Sequence, residues 1–342
     1  MSGTSLDGLD IALCEFEFND TDKYQIIQSL SVVYNEHWTL RLSNAHTLSG
    51  LELSQLDVDL GIYFGEQVLG FLKANNLDRN KIDAIASHGH TVFHQPETSL
   101  TLQIGKGSHI TAITGIDTIC DFRTTDVAKG GQGAPLVPVG DLRLFSEYDY
   151  CLNIGGIANV SFTENGDRIS FDIGIANMAS NYLCRFLDIG YDAGGQIANS
   201  GNLILEVFEK LNALPYFAAQ HPKSIGREFF ESELKPLLDL QKYRAEDLLH
   251  TFGKHLAFQL SKHIISGKVL VTGGGAFNTF WMDELKILTN TKIVIPDSQT
   301  IEFKEALIFA FLGALYIRNE NNCLSSVTGA DSNAIGGCLY RG

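Results

Sequence analysis

The stretch MSGTSLDGLD, residues 1–10, runs straight into IALCEFEF, residues 11–18, and this junction decides the reading of the fold. The second segment alternates apolar and polar residues as a half-buried strand does. The first is a turn of small and polar residues. A turn of this kind leaves backbone N–H groups free to hold anionic oxygens. Gly3, Leu6, Gly8 and Leu9 supply its backbone, and the hydroxyls of Thr4 and Ser5 are further donors. Asp7 and Asp10 are placed to hold a cation through water, although both also suit a plain turn. The theme recurs at LNIGGIANV (152–160), a strand, the pair Gly155-Gly156 and a strand. It returns at VLVTGGGAFN (269–278), a strand, Gly273-Gly274-Gly275 and a helix start. Glycine there either makes a tight turn or lets a ligand approach closely, and both readings stand together. Neither a Walker P-loop nor GxGxxG occurs, since IGKGS (104–108) lacks the upstream glycine.

Composition narrows the class. The 342 residues suffice for two domains, each with its own core. A net charge of −15, with 25 Lys and Arg against 40 Asp and Glu, argues against a nucleic-acid partner. The scattered basic residues offer no cluster for anionic lipid, and no apolar run is long enough to span a membrane. The six cysteines, at 14, 120, 151, 184, 323 and 338, show no CxxC spacing. They read as buried, reduced thiols, which points to the cytoplasm.

Helical periodicity is clearest at 53–75, 178–187, 203–211, 245–266 and 303–317, and strands read at 11–18, 82–87, 151–154, 157–162, 169–172, 268–272 and 292–295. Such interleaving means α/β. Domain one is expected over 1–140 plus about 320–342, and domain two over 141–319.

Several polar residues stand out beside the glycine turns. Asp172 ends a strand before Gly174, as a turn former or as a base. Arg123 and Asp126 precede GGQGAP (130–135) with Gln132, either as charges pairing across a turn or as a guanidinium for an anionic substrate. His88, His90 and His94 read as hydrogen-bonding residues at a strand end rather than metal ligands. Glu305, at the expected start of the 303–317 helix, suits the helix dipole whatever else it does. Lys223, Ser224, Gly226 and Arg227 serve either a nucleotide or the structure.

The order of the three glycine turns resembles the sugar-kinase, heat-shock ATPase and actin superfamily. Closer still, GTSLDGLD (3–10), SHGHTVFHQP (87–96), DFRTTDVAKGGQGAPLVP (121–138), LNIGGIANV, FDIGIAN (171–177), HPKSIGREF (221–229), TGGGAFN (272–278), Glu305-Ala306 and SVTGA (326–330) resemble the anhydro-N-acetylmuramic acid kinases along essentially the whole chain. This resemblance implies two actin-like (ribonuclease H-like) domains around a central nucleotide and sugar cleft. It implies an ATP- and Mg²⁺-dependent kinase that hydrolyses the 1,6-anhydro ring of 1,6-anhydro-N-acetylmuramic acid and phosphorylates O6. The products are N-acetylmuramic acid 6-phosphate and ADP, in cell-wall recycling. Carried onto this chain, Asp172 becomes the catalytic base. Residues 3–10, Gly155, Gly156 and Gly273–Gly275 hold nucleotide, and Asp7 holds Mg²⁺ through water. His88, Arg123, Asp126, Gln132 and Glu305 line the sugar site. A homodimer is also implied. Two departures stand out. The family usually has Thr and Pro where this chain has Ile173 and Ile175, which keeps open a kinase of altered specificity or a non-catalytic binding homologue. In the family fold a central strand precedes the first glycine turn, so a further strand upstream of Met1 is expected.

Overall fold

The computed structural model describes residues 1–3 and 6–342, so the expectations for Thr4 and Ser5 lie outside the described residues. The chain divides into two compact units, residues 1–144 with 303–342 and residues 145–302. The return to unit one begins at 303 rather than near 320, because the Ser298–Ile317 helix packs its aromatic residues there. Phe311 stacks on Phe18 at 5.8 Å and tilts against Phe16 at 5.3 Å, while Phe309 meets His88 edge-on at 4.6 Å. Lys304, from the same helix, makes a buried ion pair with Asp141 at 2.8 Å. This helix also starts a turn and a half earlier than its apolar pattern indicates. Asp297 accepts from the Thr300 N–H at 2.9 Å and from its hydroxyl at 3.0 Å, which caps the helix upstream of the expected start. Glu305 therefore lies beyond the first turn, and the helix-dipole argument for it falls away.

Unit two is built on a five-stranded sheet of β7 (Tyr150–Ile154), β8 (Ile157–Glu164), β9 (Asp167–Ile175), β10 (Lys268–Thr272) and β11 (Lys292–Val294). Their order is β11-β10-β7-β8-β9, parallel from β11 to β7 and antiparallel from β7 to β9. Leu152, Ile154, Val160, Val269 and Val271 are buried against Leu248, Phe252, Leu256 and Leu260 of the Ala245–Ser261 helix. Alternation along β9 sends Phe171, Ile173 and Ile175 into this core.

Unit one holds an antiparallel pair, β1 (Gly8–Glu17) with β2 (Lys23–Val33), and a ribbon of β4 (His90–Gln95) with β5 (Leu100–Ile104). Its third sheet runs in the order β12 (Cys338–Tyr340), β6 (Thr118–Cys120), β3 (Ile85–Ala86). The second edge of β1 is occupied only at its start. Met1 and Asp10 exchange backbone hydrogen bonds at 2.7 and 2.9 Å, and Ser2 bridges Leu9 in antiparallel sense. Beyond Asp10, among the described residues, no strand pairs with this edge. Beside it lies a cavity of about 1380 Å³ within unit one. Ile11 and Leu13 of β1, Ile85 of β3, Phe71 of the Gly50–Ala74 helix and Phe309 and Gly313 line it.

The cysteines are less uniformly buried than their apolar settings suggested. Cys338 is exposed and Cys14 and Cys120 are partly covered, leaving Cys151, Cys184 and Cys323 in the core. No described helix is long and apolar enough to cross a membrane.

Candidate functional site

In unit one, Arg123 is the centre of a preformed cradle. Its Nε and Nη2 donate to His88 Nε2 at 3.1 and 2.9 Å, and Nη1 donates to the Gly133 carbonyl at 2.6 Å. His88 Nδ1 donates to the Gly89 carbonyl at 2.9 Å, which leaves Nε2 as a lone-pair acceptor. Burial, reinforced by the Arg123 charge, pushes the His88 imidazole down to about 3, so it stays neutral. His88 is thus an orienting group for Arg123 rather than a proton carrier. Phe309 packs against both, with the guanidinium 5.8 Å from its ring centre. A guanidinium has five N–H donors, so these three bonds leave two for a ligand. Glu305 is solvent-reachable but hemmed in by protein. Burial raises its carboxyl pKa, and Arg123 pulls the other way.

Asp126 corrects the expectation of a sugar ligand. It is fully buried, one carboxylate oxygen accepting from the Gly133 N–H and the other from the Thr328 hydroxyl, both at 2.7 Å. It holds the 126–133 loop to the SVTGA segment, and nothing outside can reach it. Gln132 is exposed, its backbone N–H donating to the Thr328 carbonyl at 2.8 Å. The remaining histidines have local partners. His90 Nδ1 meets the Ser2 hydroxyl at 3.2 Å and His94 Nδ1 meets Thr101 at 3.1 Å. Asp7 is exposed on the bend before β1, and Asp10 accepts from the Ser31 hydroxyl at 2.5 Å.

In unit two, the β7–β8 turn and the triglycine turn are knitted together. A Cβ at Gly273 would come within 2.7 Å of Asn153 Oδ1, and one at Gly275 within 2.2 Å of the Ile154 side chain. Those two glycines are required by the packing of the turn on β7. At Gly155, Gly156 and Gly274 a Cβ would meet nothing closer than 3.6 Å, so the protein's own packing does not require glycine at these three. Asn177 donates to the Ile154 carbonyl at 3.3 Å, and its amide is the atom nearest to Gly274. The carbonyls of Gly155 and Gly156 accept the N–H groups of Ala176, Asn177 and Met178, which closes the N-terminal end of the Asn177–Cys184 helix.

Asp172 sits on β9, where the strand's alternation turns it away from the core that holds Ile173 and Ile175. Its backbone is pinned from both sides. The Asp172 N–H donates to the Lys223 carbonyl at 3.1 Å, and its carbonyl accepts from the Tyr216 hydroxyl at 2.6 Å. One carboxylate oxygen accepts from the Ser224 hydroxyl at 3.0 Å and the Ile225 N–H at 3.1 Å. Burial raises its pKa, and those two donors restrain the rise. The outcome is a carboxylate more basic than usual and fixed in orientation, as a general base must be.

The profile of the anhydro-N-acetylmuramic acid kinase family matches residues 1–342. The chain belongs to that family. A family member named anhydro-N-acetylmuramic acid kinase from Sulfurovum sp. is 36% identical, the alignment covering 99% of this chain and 97% of the relative. One of the same name from Coxiella burnetii is 36% identical, over 100% of this chain and 96% of its own. Among solved structures, an activator of the 2-hydroxyisocaproyl-CoA dehydratase from Clostridium difficile with bound ADPNP covers 90% of this chain and 97% of its own. It is 14% identical at a TM-score of 0.42, too distant to inform the site.

Sequence reasoning missed the groups that hold the chosen residues. Asn153, Asn177 and Tyr216 stood inside or near quoted segments, but their roles depend on tertiary approach. Ser224 was noted as part of a segment without a partner. Replacing Ser224 with Ala removes one of two donors to the Asp172 carboxylate. The Asp172 carboxyl is expected to titrate at higher pH in Ser224→Ala, read by carbon NMR of the labelled side chain. Ser224→Thr should restore the original titration.

Proposed function

We propose that this chain is an ATP-dependent kinase of 1,6-anhydro-N-acetylmuramic acid that opens the anhydro ring and phosphorylates O6. The observation that carries the reading is the half-buried, twice-donated carboxylate of Asp172 in a chain of this family. Asp172 accepts the proton of a water as that water attacks the anomeric carbon, while O6 leaves toward the γ-phosphorus of ATP. A raised pKa strengthens the carboxylate as a base, and the Ser224 and Ile225 donors restrain that rise. Arg123, with two N–H groups left over, suits the lactyl carboxylate of the sugar. Glu305 and the exposed Gln132 belong to the same sugar-binding role, and His88 serves it by fixing Arg123.

Gly155 and the exposed Gly156 and Gly274 fit the close approach of a nucleotide. Among the described residues no cluster of three or more His, Cys, Asp or Glu is arranged to hold a metal ion. Mg²⁺ that arrives with phosphate oxygens asks for only one or two carboxylates, and Asp7 is the exposed one at this turn. When bound, the ion would neutralise charge on the transferring phosphoryl group. Mg²⁺, a homodimer and a cytoplasmic location belong to this reading on the strength of the family resemblance. Ile173 and Ile175 face the core, so their departure from the family pattern bears on packing, and the altered-specificity alternative loses its motive. Asp172→Asn is expected to bind the anhydro sugar with little change and to lose turnover by at least a hundredfold, a scale typical of general-base removal. Near-normal turnover in this variant would remove Asp172 from the base role.

A further inference from the structure

Cys120 and Cys338 are directly opposite one another in the antiparallel pair of β6 and β12. The Asp117 and Ile119 carbonyls turn toward β3, accepting from Ile85 and Ser87 at 2.8 Å each. Alternation therefore turns the backbone groups of Thr118 and Cys120 toward β12, and the Cys120–Cys338 pair is a hydrogen-bonded one. Such pairs place their Cα atoms about 5.5 Å apart, inside the span a disulfide bridges. Directly opposed residues also share a face of the sheet. That face meets the start of the Gly107–Thr114 helix. A Cβ on Gly107 would lie 2.6 Å from Cys120 Sγ and 3.0 Å from the ring of Tyr340, which is two residues on from Cys338. Both thiols are free. Cys338 is exposed and Cys120 is partly covered.

We propose that Cys120 and Cys338 form a reversible disulfide by exchange with a low-molecular-weight disulfide such as oxidised glutathione. The exposed Cys338 thiolate attacks one sulfur of the glutathione disulfide, whose S–S bond breaks as one glutathione thiolate leaves and takes up a proton. The Cys120 thiolate then attacks the Cys338 sulfur of this mixed disulfide, and the second glutathione leaves as its thiol. Two protein thiols are oxidised, and one glutathione disulfide is reduced to two thiols. The second step governs the rate. Burial, aided by the neighbouring Cys338 and Asp121, pushes the Cys120 thiol up to about 12, so little thiolate is present at neutral pH. Charged or titratable neighbours of this thiol pair are Asp121, Tyr340, Lys106 and Asp57. The closed bridge would staple the last strand of the chain to β6, from whose end the backbone leads through Asp121 to Arg123.

The test incubates the full chain with oxidised glutathione at neutral and at mildly alkaline pH, quenches with an alkylating agent, and reads intact mass and peptide maps. The expected result is a loss of two hydrogens, a cross-linked peptide joining Cys120 to Cys338, and closure that quickens roughly tenfold per pH unit. Cys120→Ser should accumulate the glutathione adduct on Cys338 instead. A parent chain that stops at the Cys338 adduct at both pH values, or that cross-links a different pair, would overturn the proposal.

Discussion

Partial burial of one carboxylate, balanced against two donors, is the constraint on which the chemistry proposed for this chain depends. Asp172 loses hydration on β9, which raises its pKa, and recovers part of that loss through Ser224 and Ile225. Without the donors the group would be pushed toward its neutral form, and without the burial it would be an ordinary weak base. The segment around His221–Ile225 therefore does more than pack against the sheet. It sets both the orientation and the proton affinity of the carboxylate, while Tyr216 and the Lys223 carbonyl hold the backbone beneath it.

Unit one follows a similar logic with the opposite charge. A partly buried guanidinium is costly unless its donors are satisfied, and His88, Gly133 and Phe309 supply most of what water would have supplied. The neutral state of His88 is a consequence of this arrangement, since a protonated imidazole would face Arg123. Phe309 comes from the Ser298–Ile317 helix, which also brings Glu305 and the Lys304–Asp141 pair into the unit. One helix thus supplies core aromatics, a buried ion pair and the carboxylate proposed for the sugar site.

The fold class was legible because alternation and helical period each leave a local signature. What escaped was set by tertiary approach. The β2 strand carries QIIQSLSVV without clean alternation because a bulge at Ile27 shifts its register against β1 between Leu13 and Cys14, and β6 and β12 are three residues long, too short for any period to register. The family resemblance places Asp126 in the sugar site, and its partner Thr328, 202 residues away, could not be read from the neighbouring sequence. Ile173 and Ile175 stood out against the family pattern, yet strand alternation alone places them on the far side of β9 from Asp172. The helix carrying Glu305 was begun too late because its cap, Asp297, precedes the apolar residues by several positions.

In the proposed reaction, ring opening and phosphoryl transfer are one coupled event on an anhydro sugar. The most direct measurement is ADP release, with phosphosugar quantified alongside, on 1,6-anhydro-N-acetylmuramic acid, on N-acetylmuramic acid and with no sugar. Turnover is expected on the anhydro sugar alone, with ADP and N-acetylmuramic acid 6-phosphate formed in equal amounts. Equal or faster turnover on the already opened sugar would contradict it.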